Sequence, residues 1–187
     1  MIYRIYHNDQ YLTFEIPTRE VLDKLGRAYP FHINRTPISY AEVWKIPLHV
    51  KFRPPEDFTQ NIVPDIAEVD GKLFLNEKAY NILKSALSSS GEALPVTYDG
   101  GTGYIFNILV IAEDKNGIDE SRVGYDKNDN LSQFGFNEGI METIPLFRIK
   151  LDHYLGIFCN EVIKTLIEES GLIGVIFGSD VANPLAS

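Results

Sequence analysis

The run Leu73-Phe74-Leu75-Asn76-Glu77, followed by Ala79, Ile82, Leu83, Ala86 and Leu87, decides how the chain folds. An apolar extended stretch meets an Asn, and apolar residues then recur at i, i+3, i+4, i+7 and i+8, the stripe of an amphipathic helix. The pattern returns 84 residues later as Ile157-Phe158-Cys159-Asn160-Glu161, followed by Val162, Ile163, Leu166 and Ile167, with Gly171 as a stop. Asn at each junction is suited to accept a bond from an orphan amide of the first helical turn, and the Glu behind it favours the positive end of the helix dipole. Asn76 and Asn160 are therefore predicted N-caps. An apolar extended piece follows each helix: Ala93-Leu94-Pro95-Val96 and Leu172-Ile173-Gly174-Val175-Ile176-Phe177. Two such units predict an α+β fold with a mixed or antiparallel sheet and a pseudo-duplicated strand-helix-strand unit.

Between the repeats, Tyr104 to Ala112 is β-branched and aromatic, long enough for a central strand. Gly100-Gly101-Thr102-Gly103 precedes a strand rather than a helix and lacks the Lys-Ser/Thr of a phosphate loop, so it predicts a hairpin turn. Toward the amino end, Leu12, Phe14 and Ile16 alternate with polar residues, and His7-Asn8-Asp9-Gln10 separates them from residues 2–6, the pattern of an N-terminal β-hairpin. A short helix is expected next, with Thr18 as N-cap, Val21, Leu22 and Leu25 on one face, and Gly26 ending it. Leu48, Val50 and Phe52 predict one half-buried strand, closed by Pro54-Pro55. The chain thus divides into an N-terminal β-rich lobe (1–60) packed on the main body, an α+β body (61–178) and a flexible tail (179–187), which begins to fray near Gly178.

The protein has 187 residues, 44% of them hydrophobic, and a formal net charge of −9, the wrong sign for nucleic acid or an anionic bilayer. No apolar run approaches the roughly 18 residues of a membrane span, and the amino terminus lacks the pattern of a secretory signal. A cytoplasmic protein is expected. Its one cysteine excludes an internal disulfide framework. The acidity is uneven: residues 1–60 sum to +1, whereas residues 113–142 hold eight acids against three bases. That second stretch, rich in Asn and Gly with no sustained apolar period, reads as a long, mostly irregular, exposed segment.

No catalytic, cofactor or metal site is expected. Asp126-Lys127-Asn128-Asp129-Asn130 imitates the start of a calcium loop, but Leu131 stands where the loop needs Gly and Asn137 where it needs Glu. His7, His32, His49 and His153 have no metal-ligand spacing. Cys159 with His153 would be the minimum for thiol catalysis, yet the thiol sits in the apolar run Leu155-Gly156-Ile157-Phe158 and reads as a packed, inert residue. Tyr98, Tyr104 and Tyr125, beside the Gly-rich turn and the acidic segment, are the aromatic residues best placed for a binding surface.

Residues 60–178 resemble a bacterial family of immunity proteins from polymorphic toxin systems, the eleventh numbered immunity family. The resemblance rests on the ordered combination of Pro64-Asp65-Ile66 with Gly71-Lys72-Leu73-Phe74-Leu75-Asn76-Glu77-Lys78; Gly91-Glu92-Ala93-Leu94-Pro95-Val96; Tyr104-Ile105-Phe106-Asn107-Ile108-Leu109; Ile144-Pro145-Leu146-Phe147-Arg148-Ile149; and Asn160-Glu161 through Gly171-Leu172-Ile173-Gly174-Val175-Ile176-Phe177. It implies a non-enzymatic antitoxin that binds a cognate toxin, encoded by a neighbouring gene, and protects the producing cell and its siblings. The family supplies no catalytic residues. The charge pattern adds that such a toxin would be basic, with Glu113, Asp114, Asp119, Glu120, Asp126 and Asp129 as candidate toxin contacts and Tyr98 and Tyr125 as candidate anchors. The acidity serves solubility in the plainer alternative. A non-catalytic ligand-binding or scaffolding module and a small cytoplasmic hydrolase are the other readings.

Overall fold

The computed structural model describes residues 1–55, 61–129 and 131–179. In chain order its regular elements are β1 (Ile2–His7), β2 (Thr13–Glu15), α1 (Thr18–Lys24), β3 (Leu48–His49), β4 (Lys51–Arg53), β5 (Ile66–Val69), β6 (Lys72–Asn76), α2 (Glu77–Leu87), β7 (Gly91–Tyr98) and β8 (Gly101–Ile108). These are followed by β9 (Gly124–Tyr125), β10 (Leu131–Gln133), α3 (Glu138–Met141), β11 (Leu146–Phe147), β12 (Ile157–Asn160), α4 (Glu161–Glu169) and β13 (Val175–Gly178). The fold is α+β. A mixed five-stranded sheet runs β3-β7-β8-β6-β5, a four-stranded antiparallel sheet runs β11-β12-β1-β13, and β2-β4 and β10-β9 form two small ribbons.

The repeat is present in the topology. β6 and β7 each pair antiparallel with β8, which lies between them, so β6-α2-β7 is a split β-α-β unit. β12-α4-β13 is built the same way, with β1 as its inserted strand. Alternation then sets the layers. Leu73 and Leu75, like Ile157 and Cys159, face the helices and join Leu83, Leu87, Ile163 and Ile167 in one core. Phe74 and Phe158, the residues between, point outward into two separate cores. Residues 14–52 roof the first, and residues 110–151 roof the second.

Both Asn residues cap as expected. Asn76 Oδ1 accepts from the Ala79 amide at 2.8 Å, and Asn160 Oδ1 accepts from Ile163 at 3.1 Å. Their amide groups differ in partner: Asn76 Nδ2 donates to Asp65, whereas Asn160 Nδ2 donates to the Glu142 carbonyl. Asp65 also accepts from Lys78 and from the Ile173 amide, so one carboxylate ties the two units together. Burial alone would raise its pKa, but these hydrogen bonds hold it below the usual range.

Several expectations need correction. There is no N-terminal hairpin: β1 lies inside the four-stranded sheet, and β2 pairs with β4, Phe14 opposite Phe52. β1 carries apolar groups on both faces, Ile5 toward the helices and Ile2 toward the outer core, so a central position satisfies both its edges and its faces. A boundary near residue 60 consequently fails for β1, although residues 14–52 do pack on the body. The expected strand at 48–52 is two strands, β3 joining the five-stranded sheet beside β7 and β4 leaving it for β2. Thr18 is the first helical residue rather than the cap; extended Pro17 precedes it and offers no side-chain acceptor. The predicted Tyr104 to Ala112 strand begins earlier, at Gly101, and ends at Ile108, where Leu109 turns away to donate to the Ser90 carbonyl. Gly178 is held in β13 opposite Arg4, while residues 180–187 of the expected tail lie outside the described residues.

Candidate functional site

The acidic stretch is mostly exposed and holds little regular structure, as expected, yet it is folded as a roof over an aromatic core. Its framework is two short 3-10 turns (Glu113–Lys115 and Glu120–Arg122), the β9-β10 ribbon and α3. Phe134 and Phe136 drop alternate side chains onto Phe147 and Phe158, with Met141 filling beside them. Asp119 donates its amide to the Gly135 carbonyl, and Asn137 to that of Gly117, so the two limbs of the roof pair along a short ladder. Asn137 Nδ2 adds bonds to the carbonyls of Asn116 and Ile118. A Cβ on Gly117 would crowd the Ala112 carbonyl oxygen as well as the Met141 sulfur, so the close backbone approach favours glycine here.

This roof holds an open cleft of about 520 Å³, lined by Glu113, Glu120, Tyr125 and the aliphatic groups of Ile118, Val123 and Leu151, with Asn116 and Asn137 at its edge. Glu113 is anchored: its Oε1 accepts from the backbone amides of Lys150 (2.7 Å) and Leu151 (3.1 Å), and its Oε2 is buried with no partner among the described residues. Tyr125 is 58% exposed, an aromatic face presented to solvent. The cleft can accept the aliphatic stem and charged head of a lysine or arginine, since apolar wall, carboxylate and aromatic ring lie within one concavity.

The candidate residues do not all gather there. Glu113, Glu120 and Tyr125 share the cleft; Asp114 pairs with Lys150 and lines a neighbouring groove beside Ser88, Ser89 and Ser90. Asp119 is committed locally, accepting from the amide and hydroxyl of Ser121. Asp126 accepts from the Asn128 amide in the turn between β9 and β10, where Asp129 is left-handed at φ 60°. Asn130, part of the calcium-like run, lies outside the described residues. Tyr98 is elsewhere: it packs edge-on against Phe52 and Phe74 under the other roof. Tyr104 stacks on Tyr80 with ring centroids 3.9 Å apart. Sequence reasoning missed Ile118, Val123, Asn137 and Leu151 as cleft walls. Only Phe134 and Phe136, at strand spacing, signalled a core within the segment.

Among the described residues, no three His, Cys, Asp or Glu side chains gather as a metal site. Cys159 is fully buried, and burial pushes its thiol up, away from the thiolate a nucleophile needs. His153 lies in a left-handed turn with φ 57°. Among the described residues, no helix is long and apolar enough to cross a membrane. No protein-family model and no curated protein matches the sequence.

Proposed function

We propose that this protein is an immunity protein that binds a cognate basic toxin and neutralises it by occupancy, without catalysis. One observation carries this: the most acidic stretch of the chain is built into a roof whose cleft sets Glu113 and Glu120 beside an exposed Tyr125 and aliphatic walls. Carboxylates around such a cleft would steer a basic surface toward it, and the seated side chain would slow its release. The resemblance to immunity proteins supports the same conclusion, with the cytoplasm of the producing bacterium as the compartment and a neighbouring gene as the source of the toxin.

The test is co-expression with the adjacent open reading frame. The expected result is survival of cells that die when the neighbour is expressed alone, together with recovery of a stoichiometric complex. Survival that does not improve, with no complex at micromolar concentrations, refutes the proposal. A ligand-binding module is the second reading, favoured by the size of the cleft, which falls within the roughly 300–1,000 Å³ of small-molecule sites. Saturable binding of a small organic cation, displaced by Tyr125→Ala, in a protein that protects against no neighbouring product would favour it.

A further inference from the structure

We propose that the small cavity between the five-stranded sheet and the 14–52 roof is a binding site for a monoatomic anion of the halide class, held by Arg148, Lys72 and Tyr40. The cavity, about 10 Å³, is lined by these three with Phe31, Asn34 and Thr36 among others, and suits a single water-sized or halide-sized occupant.

The donors around it outrun the acceptors. Arg148 is 3% exposed; its Nη1 donates to the carbonyls of Arg35 (3.0 Å) and Gly71 (3.3 Å) and its Nη2 to that of Ile108 (2.6 Å), while its buried Nε has no acceptor among the described residues. Lys72 is 8% exposed and holds its ammonium 5.8 Å from the centre of the Phe31 ring, with no hydrogen bond to a described residue. The Tyr40 hydroxyl accepts from Asn34 Nδ2 at 2.9 Å, which leaves its own hydrogen to be given elsewhere. No described carboxylate forms an ion pair with Arg148 or Lys72; Asp70 pairs with Arg35 and acts on Lys72 at longer range. Glu68 accepts from the Gly71 amide and Asp152 from the Gly156 amide, and burial pushes these carboxyls up to about 7 and about 6. A buried guanidinium donor and an ammonium at the cavity wall are thus left without a hydrogen-bonded anion, with Asp70 and Asp152 acting on them only at longer range.

A water molecule accepts two hydrogen bonds and has two of its own to give. A halide takes all three donors and supplies the negative charge. Phosphate and sulfate are too large for the cavity. Lys72 also borders an outer cleft of about 180 Å³ with His32, Arg53 and Asp70, which provides a route from solvent. Bound there, the anion would pin residues 31–40 of the roof to the sheet.

The test is thermal unfolding of the whole protein in sodium chloride, sodium bromide and sodium gluconate at matched ionic strength, with anomalous scattering from crystals soaked in bromide. Chloride and bromide should raise Tm by roughly 3–5 °C per tenfold increase once the site is saturated, and gluconate should not. A bromide peak should lie between Arg148 and Lys72. Lys72→Met should abolish the dependence. Should that variant fail to fold, Tyr40→Phe, which keeps the ring and removes one donor, should weaken apparent chloride affinity at least severalfold. Equal Tm in chloride and gluconate, or a cavity without bromide at saturating concentration, overturns the proposal.

Discussion

On the outer face of the five-stranded sheet Phe74 meets Phe14, Phe52 and Tyr98, under a roof that comes from the near-neutral first part of the chain. At the equivalent place in the four-stranded sheet Phe158 meets Phe134, Phe136 and Phe147, under a roof whose residues 113–142 carry a net charge of −5 and which holds an open cleft. The inner faces of the two units are alike, down to the cap and the Glu that follows it. The difference shows where specialisation is permitted. A strand-helix-strand frame is constrained by a shared core, whereas a roof needs only to cover an aromatic floor and is free to differ in charge and shape.

Loss of either aromatic floor should have the largest effect. Phe74→Ala and Phe158→Ala should each lose about 3–5 kcal/mol, measured by denaturant unfolding. If the roofs are separate, Phe158→Ala should raise hydrogen exchange in residues 117–137 and spare residues 31–50, with the reverse for Phe74→Ala. Loss of protection in both roofs from either substitution would show a single cooperative layer.

Loss of either cap should cost less. Asn76→Ala and Asn160→Ala should each lose about 0.5–2 kcal/mol. Asn76 should be the costlier, because its amide group serves the carboxylate of Asp65 while that of Asn160 serves a neutral carbonyl. Equal losses would mean that the cap bond alone matters. The caps, a hairpin turn at the Gly-rich run and the burial of Cys159 follow from local signals that act within a few residues, although of Gly100 to Gly103 only Gly100 lies in the turn and the rest enter β8. The partners of β1 do not, because alternation announces a strand without naming its neighbours.

A pH-dependent effect concerns the region beside the β5-β6 turn, where Asp70 and Gly71 are both left-handed and a Cβ on Gly71 would collide with the Tyr154 carbonyl. Glu68 at about 7 and Asp152 at about 6 lie above their ordinary values of 4.5 and 3.8 because of burial. The native state keeps these protons to higher pH than the unfolded chain does. Their contribution to stability is therefore complete near pH 4 and is lost as pH rises through about 6 and then 7. Glu68→Gln should flatten the decline of Tm between pH 4.5 and 7; an unchanged profile would mean that the carboxyl is hydrated in the native state.

The smallest effect on folding, and the most telling for function, should come from exchanging Glu113, Asp114, Asp119, Glu120, Asp126 and Asp129 for Gln or Asn. Each replacement keeps an oxygen acceptor for the Lys150, Leu151, Ser121 and Asn128 amides, so stability should change by about 1 kcal/mol or less. Association with a basic toxin should slow roughly tenfold at low salt and lose its salt dependence, whereas Tyr125→Ala should act on dissociation. Binding that ignores all six changes would assign the acidity to solubility.

Legible in the amino-acid sequence were short-range choices within the repeat: the runs that become β6 and β12, the stripes that become α2 and α4, and the Asn at each junction. These depend on periodicity and on bonds between residues a few places apart. Tertiary structure alone decided that β1 completes the second repeat, that residues 48–53 serve two different sheets, and that Leu151 closes a cleft begun by Glu113. Those outcomes depend on which buried surface each strand edge and side chain can reach once the chain is compact. Distant segments settle that jointly, and no local pattern records it.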